Sequence, residues 1–433
     1  MPRRSLHSLH RTRLPLLGVV ARASVVLSCG LVAACADTMP VAPTAMEAPA
    51  AHAKASVIEP VAGPWSRIVE GETGPGSLYA LYVPRVWNGD AVYYAHGFRD
   101  ADSPVDLRDQ DGLNTMRDQL GAQGYAVAYS SYSENGFAVK DGAQRTHQLR
   151  GRLKSELPHQ PERSFLLGHS LGAGIALDLA ERYPSQYDGA LLVCGMVGGS
   201  MVQTQYLGHV RALFDFYYPG VLPGNVLGVP AGTVVALPQV IAAVSANPLG
   251  LFAIASTTQT PLPFVPAGPV TNPASPAFQT LVGSLFGALS FHARGINNIL
   301  DLTHGHSPFD NNATQYALGN PLLAPAVLNP LIAAANAGVT RYEIAPSARN
   351  YLGQHFTPSG ELQIPVLTLH NSWDPAVPEF HETALRQAVL AAGAGDFLVQ
   401  RQVPSFGHCS IPTAQVLQGF ADLTTWSLTG MRP

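Results

Sequence analysis

From about residue 65 onward, apolar positions in this chain follow two alternating rhythms. Short blocks rich in apolar residues, such as 91–95, 163–167 and 189–193, read as strands buried on both faces of a parallel sheet. Between them, apolar residues recur three and four positions apart, the spacing of one helix face. The pattern predicts strands near 66–71, 78–83, 91–96, 125–132, 163–167 and 189–193, with helices over 112–123, 141–156 and from 173 onward. Near Gly198 the alternation stops. It resumes after about Asn350, with strands predicted over 364–370 and 397–403. Alternating strands and helices predict an α/β fold with a mostly parallel sheet and right-handed crossovers.

The interruption has a character of its own. No Asp, Glu, Lys or Arg occurs between Phe216 and Ala293, where Leu, Val, Ala, Phe and Pro dominate. A stretch this long does not sit in a compact domain as structureless loop. It is read as a mainly helical cap over 198–350, inserted after the sixth predicted strand. That cap divides the core into 63–197 and 351–433. An apolar cap of this kind also suits a pocket for an acyl chain, an aromatic group or a polyester segment.

Charged residues make up only 12% of the 433-residue chain and the formal net charge is −4. No basic stripe appears past the N-terminal segment, which argues against nucleic-acid binding. That segment reads as an export signal over 1–35: Arg3, Arg4, Arg11 and Arg13 precede a largely apolar run over 14–34. Val32-Ala33-Ala34-Cys35 is similar to a bacterial lipobox, which would make Cys35 a lipidated first residue. Ordinary cleavage after Ala34-Cys35-Ala36 is the alternative. Residues 36–62, rich in Ala and Pro, read as a flexible tether. The expected location is the periplasm or cell envelope, with membrane contact through the lipid anchor alone. Past the signal only Cys194 and Cys409 remain, both at predicted strand ends. In an oxidising compartment they form either a disulfide or two separate buried thiols.

The chemistry is concentrated in three places. Gly168-His169-Ser170-Leu171-Gly172 lies between a strand pattern and a helix pattern, the context of a nucleophile elbow. Such an elbow calls for an acid and then a base, each just past a later strand. Asp374 follows the 364–370 strand on a Pro-punctuated loop, and His408 follows the 397–403 strand. The order Ser170, Asp374, His408 is therefore satisfied. Asp215 is the second candidate for the acid. The oxyanion donors are expected to be the backbone N–H groups of Leu171, just after the nucleophile, and of Phe98, just after the strand ending at His96.

With these pieces the chain resembles the α/β-hydrolase superfamily on its serine lipase and esterase side. The matching segments are His96-Gly97-Phe98, the 168–172 elbow, Asp374-Pro375-x-Val377-Pro378 and Gly407-His408. The resemblance implies an exported serine hydrolase acting on small or polymeric carboxylic esters with apolar acyl or alcohol groups. It implies Ser170, Asp374 and His408 as a triad working through an acyl-enzyme, without metal or organic cofactor. A serine peptidase of the same fold is the alternative. His169, Phe214, Phe216, Tyr217 and Trp373 are candidates for the substrate pocket. His304 and His306 invite a metal reading, but no cluster of carboxylates or cysteines accompanies them in the sequence.

Overall fold

The computed structural model describes residues 56–58, 62–107, 113–263, 272, 274–319 and 323–433. The expected signal segment, Cys35 and most of the expected tether lie outside the described residues. One part of that tether stretch differs from expectation. Ser56–Ile58 forms a strand, β1, that pairs antiparallel with the next one.

The chain then runs β2 (Trp65–Gly74), β3 (Ser77–Pro84), β4 (Asp90–Ala95), α1 (Leu113–Ala122), β5 (Ala126–Tyr132), α2 (Val139–Glu156), β6 (Arg163–His169), α3 (Leu171–Arg182) and β7 (Gly189–Val193). After the insertion come β8 (Val366–Trp373), α10 (Phe380–Ala391), β9 (Leu398–Phe406) and α11 (Thr413–Thr429). The strands form one nine-stranded sheet in the order β1-β2-β3-β5-β4-β6-β7-β8-β9. Strands β1, β2, β3 and β5 pair antiparallel in succession, and every pairing from β5 through β4 to β9 is parallel.

The two-residue repeat of the strands sorts the core into layers. Tyr93, Leu166 and Leu192 face α2, α3 and α10 through Leu149, Ile175 and Leu385. Their neighbours Val92, Phe165 and Leu191 face α1 and α11 through Met116 and Phe420. Burial on both faces is why these strands read as blocks rich in apolar residues.

Between β7 and β8 the chain builds α4 (Ser200–Tyr217), α5 (Leu237–Ala246), α6 (Pro248–Thr258), α7 (Pro276–Leu302), α8 (Pro325–Gly338) and α9 (Pro346–Gln354). This helical insertion has its own apolar centre, including Phe214, Phe252, Phe278, Leu285 and Phe309. Among the described residues no single helix is long and apolar enough to cross a membrane, although α5 and α6 meet that test together as a pair bent by 105°.

Candidate active site

The site is assembled at the carboxyl ends of the parallel strands, beginning with the turn from β6 to α3. A Cβ on Gly168 would sit 2.2 Å from the carbonyl oxygen of Gly172, and one on Gly172 would sit 2.1 Å from that of Ala95. Only glycine fits either position. Between them Ser170 adopts φ 55°, ψ −121°, a backbone conformation that L-residues rarely hold. It is fixed there because its N–H donates to Val193 and its carbonyl accepts from Ala173 and Met196. The turn raises the hydroxyl above the sheet with little freedom.

His408, past the end of β9, brings Nε2 to 2.8 Å from Ser170 Oγ. Its Nδ1 lies 2.7 Å from Asp374 Oδ2. Asp374 is fully buried, and its other oxygen accepts from the N–H groups of Ala376 at 2.9 Å and Val377 at 3.0 Å. The carboxylate is thus held by its own turn and aimed at the imidazole. With the Nδ1 proton directed at Asp374, Nε2 is free to accept the Ser170 proton. Asp215, the other acid candidate, is instead paired with Arg211 at 2.8 Å within α4.

Two loops are fastened to each other at the base. The N–H of Gly407 donates to the carbonyl of Trp373, tying the His408 loop to the end of β8. A disulfide joins Cys409, next to the histidine, to Cys194 at the end of β7. Both cysteines have positive φ, 54° and 47°. Three left-handed non-glycine residues therefore frame this corner, Ser170 among them.

Opposite the elbow, the loop after β4 comes as close as a backbone can. A Cβ on Gly97 would lie 3.3 Å from Ser170 Cβ. His96 anchors this loop: its ring stacks on Tyr132 at 3.8 Å, and its nitrogens face the carbonyls of Gly97 and Ser131. Burial pulls its pKa down to about 4, so the ring is neutral and donates to one of those carbonyls. Leu171 opens α3, where the first N–H groups have no partner within the helix.

One face of α7 covers this ground. Gly287, Phe291, Arg294 and Asn298 are spaced four, three and four apart and so lie on one side of the helix. A Cβ on Gly287 would approach Pro375 to 3.0 Å. The Phe291 ring meets His408 edge-on, with centroids 5.2 Å apart. The Arg294 guanidinium lies over the rings of Phe98 and Phe291 and pairs with Asp100 at 2.5 Å. Asn298 accepts from the N–H of Phe137. A single helix thus touches the loops of the acid, the base and the expected oxyanion donor, and Ser170 is only 8% exposed.

The chain has the α/β-hydrolase fold. An elbow serine at the end of a central parallel strand, followed by acid and base at later strand ends, is its defining arrangement. Residues 119–258 match the family model described as "Serine aminopeptidase, S33". That match takes in the elbow but ends before Asp374 and His408. Among solved structures, an esterase from Aspergillus oryzae is 12% identical, covering 85% of this chain and 80% of its own, with a TM-score of 0.46. Feruloyl esterase B from Aspergillus oryzae is 12% identical over 87% of this chain and 83% of its own, TM-score 0.45. An esterase from Pyrobaculum calidifontis is 12% identical over 85% and 87%, TM-score 0.39. Likenesses at this level add nothing to what the sheet and the elbow already establish. No curated protein matches the chain.

Several pocket candidates of this hydrolase fold are placed elsewhere. Phe214 is fully buried in the insertion's own centre, against Tyr218. The Tyr217 hydroxyl donates to the carbonyl of Leu331. Phe216 lines a separate cavity of about 440 Å³ with Asp215, Pro219 and Tyr342. These three aromatics build the insertion rather than a pocket at Ser170. His169 packs on Tyr94, and burial followed by the nearby His408 pulls its pKa down to about 4. Trp373 contributes through its carbonyl, as described. The aromatic contact to His408 comes from Phe291, which the sequence reading passed over. Among the described residues, His304 and His306 included, no group of three or more His, Cys, Asp or Glu side chains is placed to hold a metal ion.

Proposed function

We infer that this protein is a serine hydrolase that cleaves carboxylic esters with apolar acyl or alcohol groups. The observation carrying this reading is the continuous chain from Asp374 through His408 to Ser170, at 2.7 and 2.8 Å, with the Phe291 ring of α7 set against His408. His408 Nε2 takes the proton as Ser170 Oγ attacks the ester carbonyl, and Asp374 holds the ring and stabilises its charged form. The backbone N–H groups of Phe98 and Leu171 receive the oxyanion, each worth about 3–4 kcal/mol by analogy with single-donor deletions. His408 returns its proton to the departing alkoxide, leaving an acyl-enzyme. Water, deprotonated by His408, then attacks the acyl carbon, and Ser170 leaves with the proton restored.

Export to the cell envelope, with Cys35 lipidated, is part of the same proposal. The disulfide between Cys194 and Cys409 is in keeping with an oxidising compartment.

The match to the serine aminopeptidase model favours a second reading, a peptidase on the same triad. Capture of a charged peptide terminus calls for a partner of opposite charge. Near the site Arg294 and Asp100 already satisfy each other, which supports the ester reading. The discriminating experiment compares p-nitrophenyl esters from acetate to palmitate with aminoacyl and prolyl amides. Ester turnover with a chain-length optimum is expected. Amide cleavage without ester preference would put the peptidase first.

A further inference from the structure

A buried His–Glu pair lies directly behind the acid, and the mechanism above makes no use of it. His370, in β8, is fully buried, and its Nδ1 lies 3.4 Å from Oε1 of Glu382 in α10, itself only 4% exposed. Glu382 does not float. Its other oxygen accepts from the Thr368 hydroxyl at 2.6 Å and from Gln400 Nε2 at 2.5 Å. On the far side of the imidazole, Nε2–H donates to the carbonyl of Val377 at 2.8 Å. The N–H of that same Val377 donates to Asp374 Oδ1. Hydrogen bonds therefore run from His370 through the Val377 peptide to the carboxylate that meets His408, and Glu382 Oε1 stands 3.4 Å behind the ring at an Nδ1 that has no hydrogen-bond partner.

The charge state supports this path. Burial alone would push the His370 proton off, but Glu382, Asp374 and the Val377 carbonyl outweigh it and hold the pKa above the ordinary histidine value. His381, the other buried ring nearby, is drawn down to about 3 by burial and then by the His370 charge. It stays neutral, with Nδ1 accepting from Gly198 N–H, and does not compete for the Glu382 carboxylate.

A buried ion pair is a poor way to gain stability, because the desolvation of both charges offsets their attraction. Its value here is geometric. We propose that His370 and Glu382 are positioning residues for the acid: Glu382 holds the His370 ring, which holds the Val377 carbonyl and so the turn that aims Asp374 at His408. The inference rests on the reading of Ser170, His408 and Asp374 as a catalytic triad.

The test compares His370→Leu, His370→Gln and Glu382→Gln with Asp374→Asn in the full folded chain, reading kcat and KM separately on an ester substrate. His370→Leu removes the donor to Val377, and a misplacement of about 1 Å costs on the order of 10²-fold in rate. The expected result is a kcat some ten- to a hundredfold lower with KM unchanged. His370→Gln, which retains a donor at that reach, is expected to recover most of the loss. Should the leucine variant fail to fold, Glu382→Gln decides: a several-fold fall in kcat at constant KM upholds the proposal. Wild-type kcat in the folded His370 and Glu382 variants, beside a large loss in Asp374→Asn, would overturn it and leave the triad standing. Wild-type kcat in Asp374→Asn itself would overturn the triad reading beneath it.

Discussion

Phe291, on α7 of the insertion, lies edge-on to His408 with ring centroids 5.2 Å apart. The insertion thereby reaches the proposed base, and on the proposed mechanism its aromatic ring stands beside the path of a substrate's acyl or alcohol group. Truncating that ring enlarges the passage. Phe291→Ala is expected to raise kcat/KM for octanoate esters relative to acetate esters by about tenfold or more, the scale on which apolar pockets discriminate. An unchanged ratio would mean that α7 is not a wall of the substrate pocket.

Arg294 and Asp100 join the same helix to the loop after β4, with side chains 41% and 49% exposed. An exposed pair contributes roughly 0–1 kcal/mol and less in salt. Arg294→Ala should therefore move the urea midpoint very little. Local opening is another matter, since the guanidinium also covers the rings of Phe98 and Phe291. Deuterium uptake over residues 287–298 is expected to quicken in this variant while the sheet is unaffected. Equal uptake would show that the pair does not hold the helix down.

The disulfide closes a loop across 215 residues of sequence and ends beside His408. Replacing Cys194 and Cys409 together by Ser is expected to cost roughly 2–5 kcal/mol of stability. The folded remainder should also turn over ester more slowly, because the base loop keeps only its noncovalent ties, such as the bond from Gly407 to Trp373. Urea unfolding and a rate measured well below the unfolding transition separate the two effects. Full activity in that variant would assign the bridge to stability alone.

The buried histidines make a sharp pH prediction. Burial draws His96, His169 and His209 to about 4, and His292 and His381 to about 3. Each lies below its unfolded value, so each contributes stability that is complete above about pH 6.5 and is lost as pH falls toward the folded value. Asp178, raised by burial to about 6, works in the opposite sense. The clean measurement is therefore residue by residue: 15N spectra of labelled histidine should show these five rings neutral down to pH 5. A ring among them that titrates between pH 6 and 7 would refute its placement.

The sheet and the placing of Ser170, Asp374 and His408 at strand ends were legible in the sequence because their signals are local. Strands buried on both faces leave blocks rich in apolar residues, and the elbow leaves glycines at 168 and 172 that backbone contact alone explains. The cover was not legible. Helix α7 carries a regular apolar stripe through Phe278, Leu285 and Ile296, and Phe291 lies on the other side among Gly, Ser, Arg and Asn, so periodicity assigns the stripe to a core and says nothing of what Phe291 meets. Only the docked helix separates Phe291, which touches the base, from Phe278 and Leu285, which fill the insertion. Phe214, Phe216 and Tyr217 misled for the same reason, since an aromatic cluster on a helix serves a core as readily as a pocket. β1 is only Ser-Val-Ile within an Ala- and Pro-rich run, too short to show a period. The path from His370 to Asp374 was hidden as well, because it passes through a peptide group rather than a side-chain motif.

The most direct test of the whole account is covalent. The folded protein is treated with a fluorophosphonate, its intact mass and labelled peptide are read, and Ser170→Ala is assayed beside it on p-nitrophenyl esters. The account predicts one adduct on Ser170, loss of ester hydrolysis in step with labelling, and almost no turnover by the alanine variant. Undiminished hydrolysis by folded Ser170→Ala would contradict it.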